Sequence, residues 1–216
     1  MARAARLPLV ALAVLALAAC GGGSSDSGSG SDTGSGAKES QHAETCPTQS
    51  GKVSFRLLDP SKLHTVYVLT NLGAFSFRLD VEDSPCTTSS FAALVRKRFF
   101  DGTRFHRIVP GFVIQGGDPT ATGTGGPGYT VVDVPPANAL YTKGVVAMAK
   151  SGPEPPGTSG SQFFIVTGDD AGLPPEYAIL GVITKGLRVV ERIGRLGDAN
   201  EHPTRRIVVL RMTLTP

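Results

Sequence analysis

The chain has 216 residues, of which 40% are apolar, with 21 Lys and Arg against 18 Asp and Glu. This length and apolar content suit one domain with a buried core and extensions. The formal net charge is +3 and becomes +1 if the first 19 residues, which carry Arg3 and Arg6, are removed. Because this excess of positive charge is so small, we do not expect a nucleic-acid partner.

Residues 1–19 have the pattern of a secretory leader. Arg3 and Arg6 form a charged start, and residues 7–19 are an unbroken run of small and aliphatic side chains. The run is too short to cross a bilayer comfortably, which takes about 20 apolar residues. The sequence LAAC at residues 17–20 resembles a bacterial lipobox, whose cysteine receives a diacylglycerol and becomes the mature N-terminus. We therefore predict a lipoprotein signal peptide, with a single anchor helix as the alternative.

Cys20 and the residues up to 45 form a predicted tether. Residues 21–36 contain only Gly, Ser, Asp and Thr, which cannot bury enough apolar area to offset the entropy of ordering them. A random coil of about 25 residues reaches roughly 25 to 30 Å, enough to hold a domain clear of lipid headgroups. We expect an extracytoplasmic protein that is anchored to the bacterial cell membrane through the lipid on Cys20.

Residues 46–64 form an extension before the folded domain, which we assign to residues 65–216. Outside the cytoplasm, two thiols such as Cys46 and Cys86 are often paired. A bridge between them would fix the extension to the start of the first predicted helix. The alternative is two independent thiols.

The folded domain begins with a hairpin and a helix and continues as short strands. Apolar side chains alternate along residues 65–69 and 75–79 around a turn at residues 71–73, which predicts an antiparallel hairpin. Ser84 and Pro85 are placed to begin a helix that Asp101 and Gly102 end. A second helix is predicted around residues 189–193. Further strands are predicted at residues 105–109, 113–115, 145–149, 163–166, 178–183 and 207–214.

Many short strands with Gly-rich connections and only two helices predict a mainly β fold. We expect a closed antiparallel barrel, because closure removes exposed strand edges.

Two segments carry the chemical signal: FHRIVPGFVIQGGDP at residues 105–119 and SQFFIVT at residues 161–167. They place one arginine among aromatic and aliphatic side chains, with an amide nearby and no obvious nucleophile. Rotation about a peptide bond faces a barrier of about 18 to 20 kcal/mol. A guanidinium can lower it by donating to the prolyl nitrogen in the twisted state. From the residues alone, Arg107 also fits a surface arginine on an alternating strand.

In order and content, these segments resemble the cyclophilin family of peptidyl-prolyl isomerases, and the resemblance covers residues 66–214. It implies an eight-stranded closed β-barrel capped by two α-helices, a monomer, and a non-covalent mechanism without metal or cofactor. It also implies that Arg107 is the catalytic residue. The residues implied to bind substrate are Phe112, Val113, Gln115, Ala149, Lys150, Gln162, Phe164, Leu173 and Tyr177.

The chain departs from the commonest family pattern at several positions. Val113 stands where methionine is commonest, Lys150 where asparagine is usual, and Gly172 where many members carry a tryptophan. The missing indole predicts weak cyclosporin binding. The loop of residues 151–160 is longer than the commonest version, which predicts a change in the residues accepted beside proline.

These expectations lead to an isomerase of Xaa-Pro bonds that assists the folding of exported proteins, with proline-containing polypeptides as its partners. The second hypothesis is a weakly active or inactive cyclophilin-like module that binds prolyl segments as a holdase. A lipoprotein that binds a small solute is a remote third hypothesis, because the chain lacks the length of a two-lobed solute-binding protein.

Overall fold

The computed structural model describes Cys46 and residues 54–215. The chain divides into two units, residues 1–40 and 41–216, and everything described belongs to the second. The predicted signal peptide, the lipidated Cys20 and the tether lie outside the described residues. Within the described part, none of the helices has the length and apolar character needed to cross a membrane.

Ten strands and two helices make up the described part of the chain. The first half contains β1 (Thr65–Thr70), β2 (Gly73–Leu79), α1 (Pro85–Arg96), β3 (Arg107–Val109), β4 (Val113–Gly116) and β5 (Val131–Val132). The second half contains β6 (Val145–Met148), β7 (Thr158–Ser159), β8 (Phe163–Val166), β9 (Ile179–Lys185), α2 (Leu187–Gly194) and β10 (Val209–Thr215). The predicted hairpin forms between β1 and β2, and both predicted helices are present.

Eight of these strands form one antiparallel sheet in the order β10-β1-β2-β9-β6-β8-β4-β3. The two short strands β5 and β7 pair with each other in a separate ladder. The position of β4 between β8 and β3 brings residues of three chain segments side by side. Arg107 is opposite Gln115, and Gln115 is opposite Phe164.

The prediction of a closed barrel is wrong: the sheet curls into a half-barrel whose edge strands are β3 and β10. The edge strand β3 is only three residues long. Its Ile108 N–H donates to the carbonyl of Glu201, 2.8 Å away in the loop between α2 and β10. That loop, and not a further strand, therefore meets β3. The two edges approach only just before β3, where Arg104 and Val208 form an isolated bridge.

The main core joins the large sheet to both helices and is rich in phenylalanine. The Phe91 ring on α1 lies 4.6 Å from the Phe100 ring centroid and 5.6 Å from that of Phe163 on β8. From α2, Val190 and Ile193 are completely buried in the same core. This packing fixes β8, the strand at the centre of the candidate site, on its inner face.

The first helix begins at Pro85 as predicted, but the expected cap is replaced. Ser84 holds the N-cap position without a side-chain hydrogen bond to the helix. The N–H of Thr87 instead donates to a carboxylate oxygen of Asp133 at 2.5 Å, which also places negative charge at the positive end of the helix dipole. At the other end, Arg98 has a left-handed φ of 58°, so the helix stops before Asp101.

The described part of the extension packs on the folded domain. Leu58 is buried in the main core, and its N–H donates to Ser89 Oγ on α1 at 2.9 Å. The Phe55 ring stacks on Tyr129 with 6.4 Å between centroids. The sulfurs of Cys46 and Cys86 are bonded in the structure, which links the extension to the first turn of α1.

Candidate functional site

A line of polar side chains crosses three neighbouring segments at the candidate site. Arg107 Nη1 donates to Gln115 Oε1 at 3.3 Å, and Gln115 Nε2 donates to Gln162 Oε1 at 3.0 Å. Gln162 Nε2 donates in turn to the carbonyls of Gly123 and Gly125, at 2.9 and 3.0 Å. These contacts orient both glutamine amides. About a third of the Arg107 side chain, 36%, stays exposed, so part of the guanidinium is open to a ligand.

A second hydrophobic cluster, separate from the main core, lies beside this polar line. The cluster brings together six residues predicted to bind substrate, namely Phe112, Val113, Ala149, Phe164, Leu173 and Tyr177. The Phe164 and Tyr177 rings meet edge to face, with 5.5 Å between centroids. A partly buried aromatic and aliphatic surface of this kind is suited to a small apolar ring such as that of proline.

The two adjacent phenylalanines of β8 serve the two clusters separately. Phe163 packs among the rings of the main core, including Phe105 at 5.9 Å. Phe164 belongs to the second cluster and faces Tyr141 and Tyr177. This is the separation that strand alternation predicts.

Tyr141 is a site residue that the sequence analysis missed. Only 1% of it is exposed, and its ring lies 6.3 Å from that of Phe164. Its hydroxyl donates to the carbonyl of Tyr177 at 2.7 Å and accepts from the Tyr177 N–H at 3.0 Å. Tyr141 thereby holds the backbone of the segment that contributes Tyr177 to the second cluster. No periodic pattern surrounds this tyrosine, so the sequence offers no signal for the contact.

The side chain of Lys150, a position where asparagine is usual in the family, is almost completely buried and forms an ion pair. Its side chain is 3% exposed, and Nζ lies 3.0 Å from Glu176 Oε2. Nζ also donates to the Glu154 carbonyl at 3.1 Å and lies 5.7 Å from the centre of the Tyr177 ring. Through Glu154 and Glu176, the Lys150 side chain thus connects the loop of residues 151–157 to the segment that carries Tyr177.

A groove of about 600 Å³ lies beside the two glutamines. One wall is the glycine-rich segment of residues 123–130, and the other contains Ala149 and Lys150. Gln115 and Gln162 form part of its lining and also belong to the polar line that leads to Arg107. The polar line therefore connects this groove to Arg107.

Asp118 organises the glycine-rich wall of this groove. The carboxylate is fully buried, and it accepts hydrogen bonds from the N–H groups of Thr120, Gly123 and Gly125 at 2.7, 2.7 and 3.1 Å. A Cβ at Gly125 would lie 2.1 Å from the Asp118 carboxylate, so only glycine permits this approach. Burial by itself raises the pKa of Asp118, but the hydrogen bonds from Thr120, Gly125 and Gly123 outweigh it and hold the pKa well below its usual range.

Replacing Asp118 by asparagine is expected to destabilise the folded protein by about 2 to 4 kcal/mol at pH 7, because charge-assisted acceptors are lost. The folded-state pKa is depressed, so this contribution is fully present above the unfolded pKa of about 4 and decreases progressively as the pH falls from there towards the folded-state pKa. Urea denaturation between pH 3 and pH 7 measures the effect. The exposed Asp83→Asn serves as a control. A difference between parent and Asp118→Asn that is the same at every pH would contradict the assignment.

Glu201 is the second residue that sequence reasoning missed. It contacts Arg107 directly, with 2.6 Å between Arg107 Nε and Glu201 Oε2. All the residues predicted to bind substrate lie either in the second apolar cluster or in the contacts of Arg107, Gln115, Gln162 and Lys150 described above. Of the predicted set, Gln115, Ala149, Lys150 and Gln162 line the groove. The remaining residues lie outside its lining, in the second cluster or, for Arg107, at the end of the polar line.

Comparison with known families gives one consistent answer. A family model described as cyclophilin type peptidyl-prolyl cis-trans isomerase/CLD matches residues 65–214. The chain is 38% identical over 170 residues to the probable peptidyl-prolyl cis-trans isomerase B of Mycobacterium leprae, covering 71% of this chain and 55% of that protein. It is 35% identical over 151 residues to the mouse peptidyl-prolyl cis-trans isomerase-like 1, covering 68% and 89%. The chain spans about half the length of the mycobacterial B proteins that it matches.

Solved structures agree with this result. A crystal structure of a cyclophilin-type isomerase from Cryptosporidium parvum superposes with a TM-score of 0.66 and 31% identity, covering 72% of this chain and 99% of that one. The structure of the same parasite protein in the presence of the dipeptide Ala-Pro superposes with a TM-score of 0.64, covering 70% and 99%. The family model spans most of the described residues, and the relatives and solved structures are named as isomerases of the same kind. The chain therefore belongs to the cyclophilin-type peptidyl-prolyl cis-trans isomerases.

Proposed function

We propose that this protein catalyses cis-trans isomerisation of Xaa-Pro peptide bonds. The observation that carries the proposal is a partly exposed arginine, Arg107, held by Gln115 beside the second hydrophobic cluster. We propose that Phe112, Phe164 and Leu173 of this cluster form an apolar pocket for the proline ring. The site combines a place for a proline ring with a fixed hydrogen-bond donor. Membership of an isomerase family supports the same reaction.

The proposed mechanism requires neither a covalent intermediate nor a proton transfer. The apolar pocket holds the proline ring. Gln115 forms a hydrogen bond with the substrate backbone and keeps that part of the backbone fixed while the prolyl amide twists. As the amide twists, the nitrogen lone pair localises and becomes an acceptor, which the Arg107 guanidinium can satisfy. Such a bond is stronger in the twisted state than in either planar state, so it accelerates rotation in both directions. Neither metal nor cofactor has a role in these steps.

Proline-containing polypeptides are the proposed substrates. The Cryptosporidium parvum isomerase was crystallised in the presence of Ala-Pro, which supports this substrate class for a chain with the same fold. The groove beside Gln115 and Gln162 is proposed to take the residues that precede proline. The longer loop of residues 151–160 is fixed against Glu176 by Lys150, and we propose that it modifies which of these residues are accepted.

The test is an isomerisation assay on short Xaa-Pro peptides, run beside an aggregation-suppression assay on an unfolded protein. The proposal expects the approach to cis-trans equilibrium to be accelerated in proportion to the concentration of the protein. The alternative, a prolyl-binding holdase, expects suppressed aggregation with no faster isomerisation. The departures at Val113, Lys150 and Gly172 favour the alternative, while the contacts made by Arg107 and Phe164 favour the enzyme.

The location of the protein in the cell is a second part of the proposal. We propose that residues 1–19 are removed, that Cys20 is lipidated, and that the monomeric domain acts on exported proteins outside the cytoplasm. The lipobox-like LAAC and the Gly/Ser-rich tether support this. Labelling of growing bacteria with a fatty-acid analogue, followed by membrane fractionation, tests it. A Cys20→Ala variant that is labelled and fractionates like the parent would overturn the proposal of a lipid anchor.

A further inference from the structure

We propose that Glu201 is a positioning residue for Arg107: its carboxylate fixes the guanidinium in the orientation that isomerisation requires. The inference rests on the catalytic role of Arg107 in the proposed function. It adds a residue that lies 94 positions away in the chain and that belongs to neither of the two motifs.

The contact has the geometry of a strong, charge-assisted hydrogen bond. Arg107 Nε donates to Glu201 Oε2 at 2.6 Å, and Nη1 donates to Gln115 Oε1 at 3.3 Å. An arginine side chain has several rotatable bonds, and one weak contact would leave the guanidinium free to swing. Two acceptors on different nitrogens define both the position and the plane of the group. The other guanidinium N–H groups remain available to a substrate.

The conformation of Glu201 is unusual and is held by the loop around it. Its φ is +66°, a left-handed value that is unfavourable for a residue with a side chain and that persists only where the surroundings impose it. The Glu201 N–H donates to the Asp198 carbonyl at 3.1 Å. The Asp198 carboxylate accepts from the N–H groups of Asn200 and His202, both at 2.8 Å.

The same loop is seated directly on the strand that carries Arg107. The Glu201 carbonyl accepts from the Ile108 N–H at 2.8 Å. A Cβ at Gly197 would lie 2.2 Å from the Ile108 carbonyl oxygen, so glycine is required for the loop to come this close. Backbone contacts on both sides of Ile108 therefore deliver the Glu201 carboxylate next to Arg107.

A role in general stability does not explain this arrangement. The two side chains are 36% and 48% exposed, and ion pairs in such settings contribute little to folding. A strained conformation that serves a weakly stabilising pair points to function instead. Because the guanidinium acts in the twisted state, its misorientation is expected to lower kcat more than it raises KM.

The test is a double-mutant cycle on the full chain, with a short Xaa-Pro peptide as substrate. Glu201→Ala is expected to lower kcat roughly 5- to 20-fold with little change in KM, because a misplaced catalytic group loses rate. Glu201→Gln keeps a neutral acceptor and is expected to recover part of that loss. In the Arg107→Ala background, measured at raised enzyme concentration, Glu201→Ala is expected to have no further effect. The exposed Glu82→Ala is the control, and thermal unfolding of each variant verifies folding.

The outcomes separate the two proposals. If Arg107→Ala is inactive while Glu201→Ala keeps a kcat within about twofold of the parent, the positioning role is overturned and the proposed function stands. If Glu201→Ala lowers kcat equally in both backgrounds, it acts by another route and the positioning role is also overturned. If Arg107→Ala is as active as the parent, the catalytic role of Arg107 and the positioning role of Glu201 are both overturned. If the parent itself does not accelerate isomerisation, the proposed function fails. Glu201→Gln keeps the test decisive if Glu201→Ala folds poorly. A well-folded Glu201→Gln with the kcat of the parent, measured beside an impaired Arg107→Lys, overturns a charge-dependent role of Glu201.

Discussion

Arg107→Ala is expected to lower kcat/KM for isomerisation of a short Xaa-Pro peptide by about 10²- to 10³-fold, the usual cost of removing a donor that acts in the transition state. The apolar pocket does not depend on Arg107, since its second hydrophobic cluster is formed by other residues. Peptide binding should therefore survive in part, and the loss should appear mainly in kcat. Protease-free measurement of peptide isomerisation by NMR exchange gives both quantities.

Two further variants sharpen the result. Arg107→Lys keeps a positive charge but loses the planar fork that Gln115 and Glu201 hold, so an intermediate loss is expected. Arg104→Ala removes an exposed arginine three residues earlier, and it is expected to behave like the parent. Equal losses in Arg104→Ala and Arg107→Ala would indicate that general positive charge, and not a directed hydrogen bond, is responsible.

Local patterns predicted most of the secondary structure because the physics that forms it is local. The β1 and β2 hairpin follows from alternating side chains and a turn, and α1 begins at Pro85 as its fixed φ favours. Barrel closure failed as a prediction because it depends on which groups compete for one strand edge. The Ile108 N–H on that edge donates to the carbonyl of Glu201, and no sequence pattern near either residue predicts this hydrogen bond. The two-residue strands β5 and β7 are too short to show alternation.

The candidate site divides in the same way. Motif order and strand alternation were enough to place Phe163 in the main core and Phe164 in the pocket. Tyr141 and Glu201 are different, because each acts through a tertiary contact and neither belongs to a periodic segment. Their partners lie 36 and 94 residues away. The residues predicted to bind substrate thus follow from motifs, whereas the residues that hold them in place follow from packing.

Removing the Cys46 to Cys86 bridge is expected to lower the free energy of unfolding by about 4 kcal/mol, the chain-entropy value for a closed loop of this length. The two cysteines are 40 positions apart, so the bridge restricts a long stretch of the unfolded chain. For a domain of this size such a loss corresponds to a fall in Tm of roughly 8 to 16 °C. Thermal and urea unfolding of the oxidised parent and of a Cys46→Ala, Cys86→Ala variant measure it.

Adding a thiol reductant provides the matched control for this prediction. It should lower the free energy of unfolding of the parent and leave that of the double cysteine variant unchanged. Beyond the loop entropy, the bridge adds to the contacts that the described part of the extension makes with the domain, which include Phe55 on Tyr129 and Leu58 in the main core. Tyr129 also lines the groove, and its hydroxyl lies 3.0 Å from Ser90 Oγ on α1. Proteolysis should therefore cut the extension sooner in the reduced protein, since local opening precedes global unfolding. Identical unfolding and cleavage of the oxidised and reduced parent would show that the bridge contributes nothing to this packing.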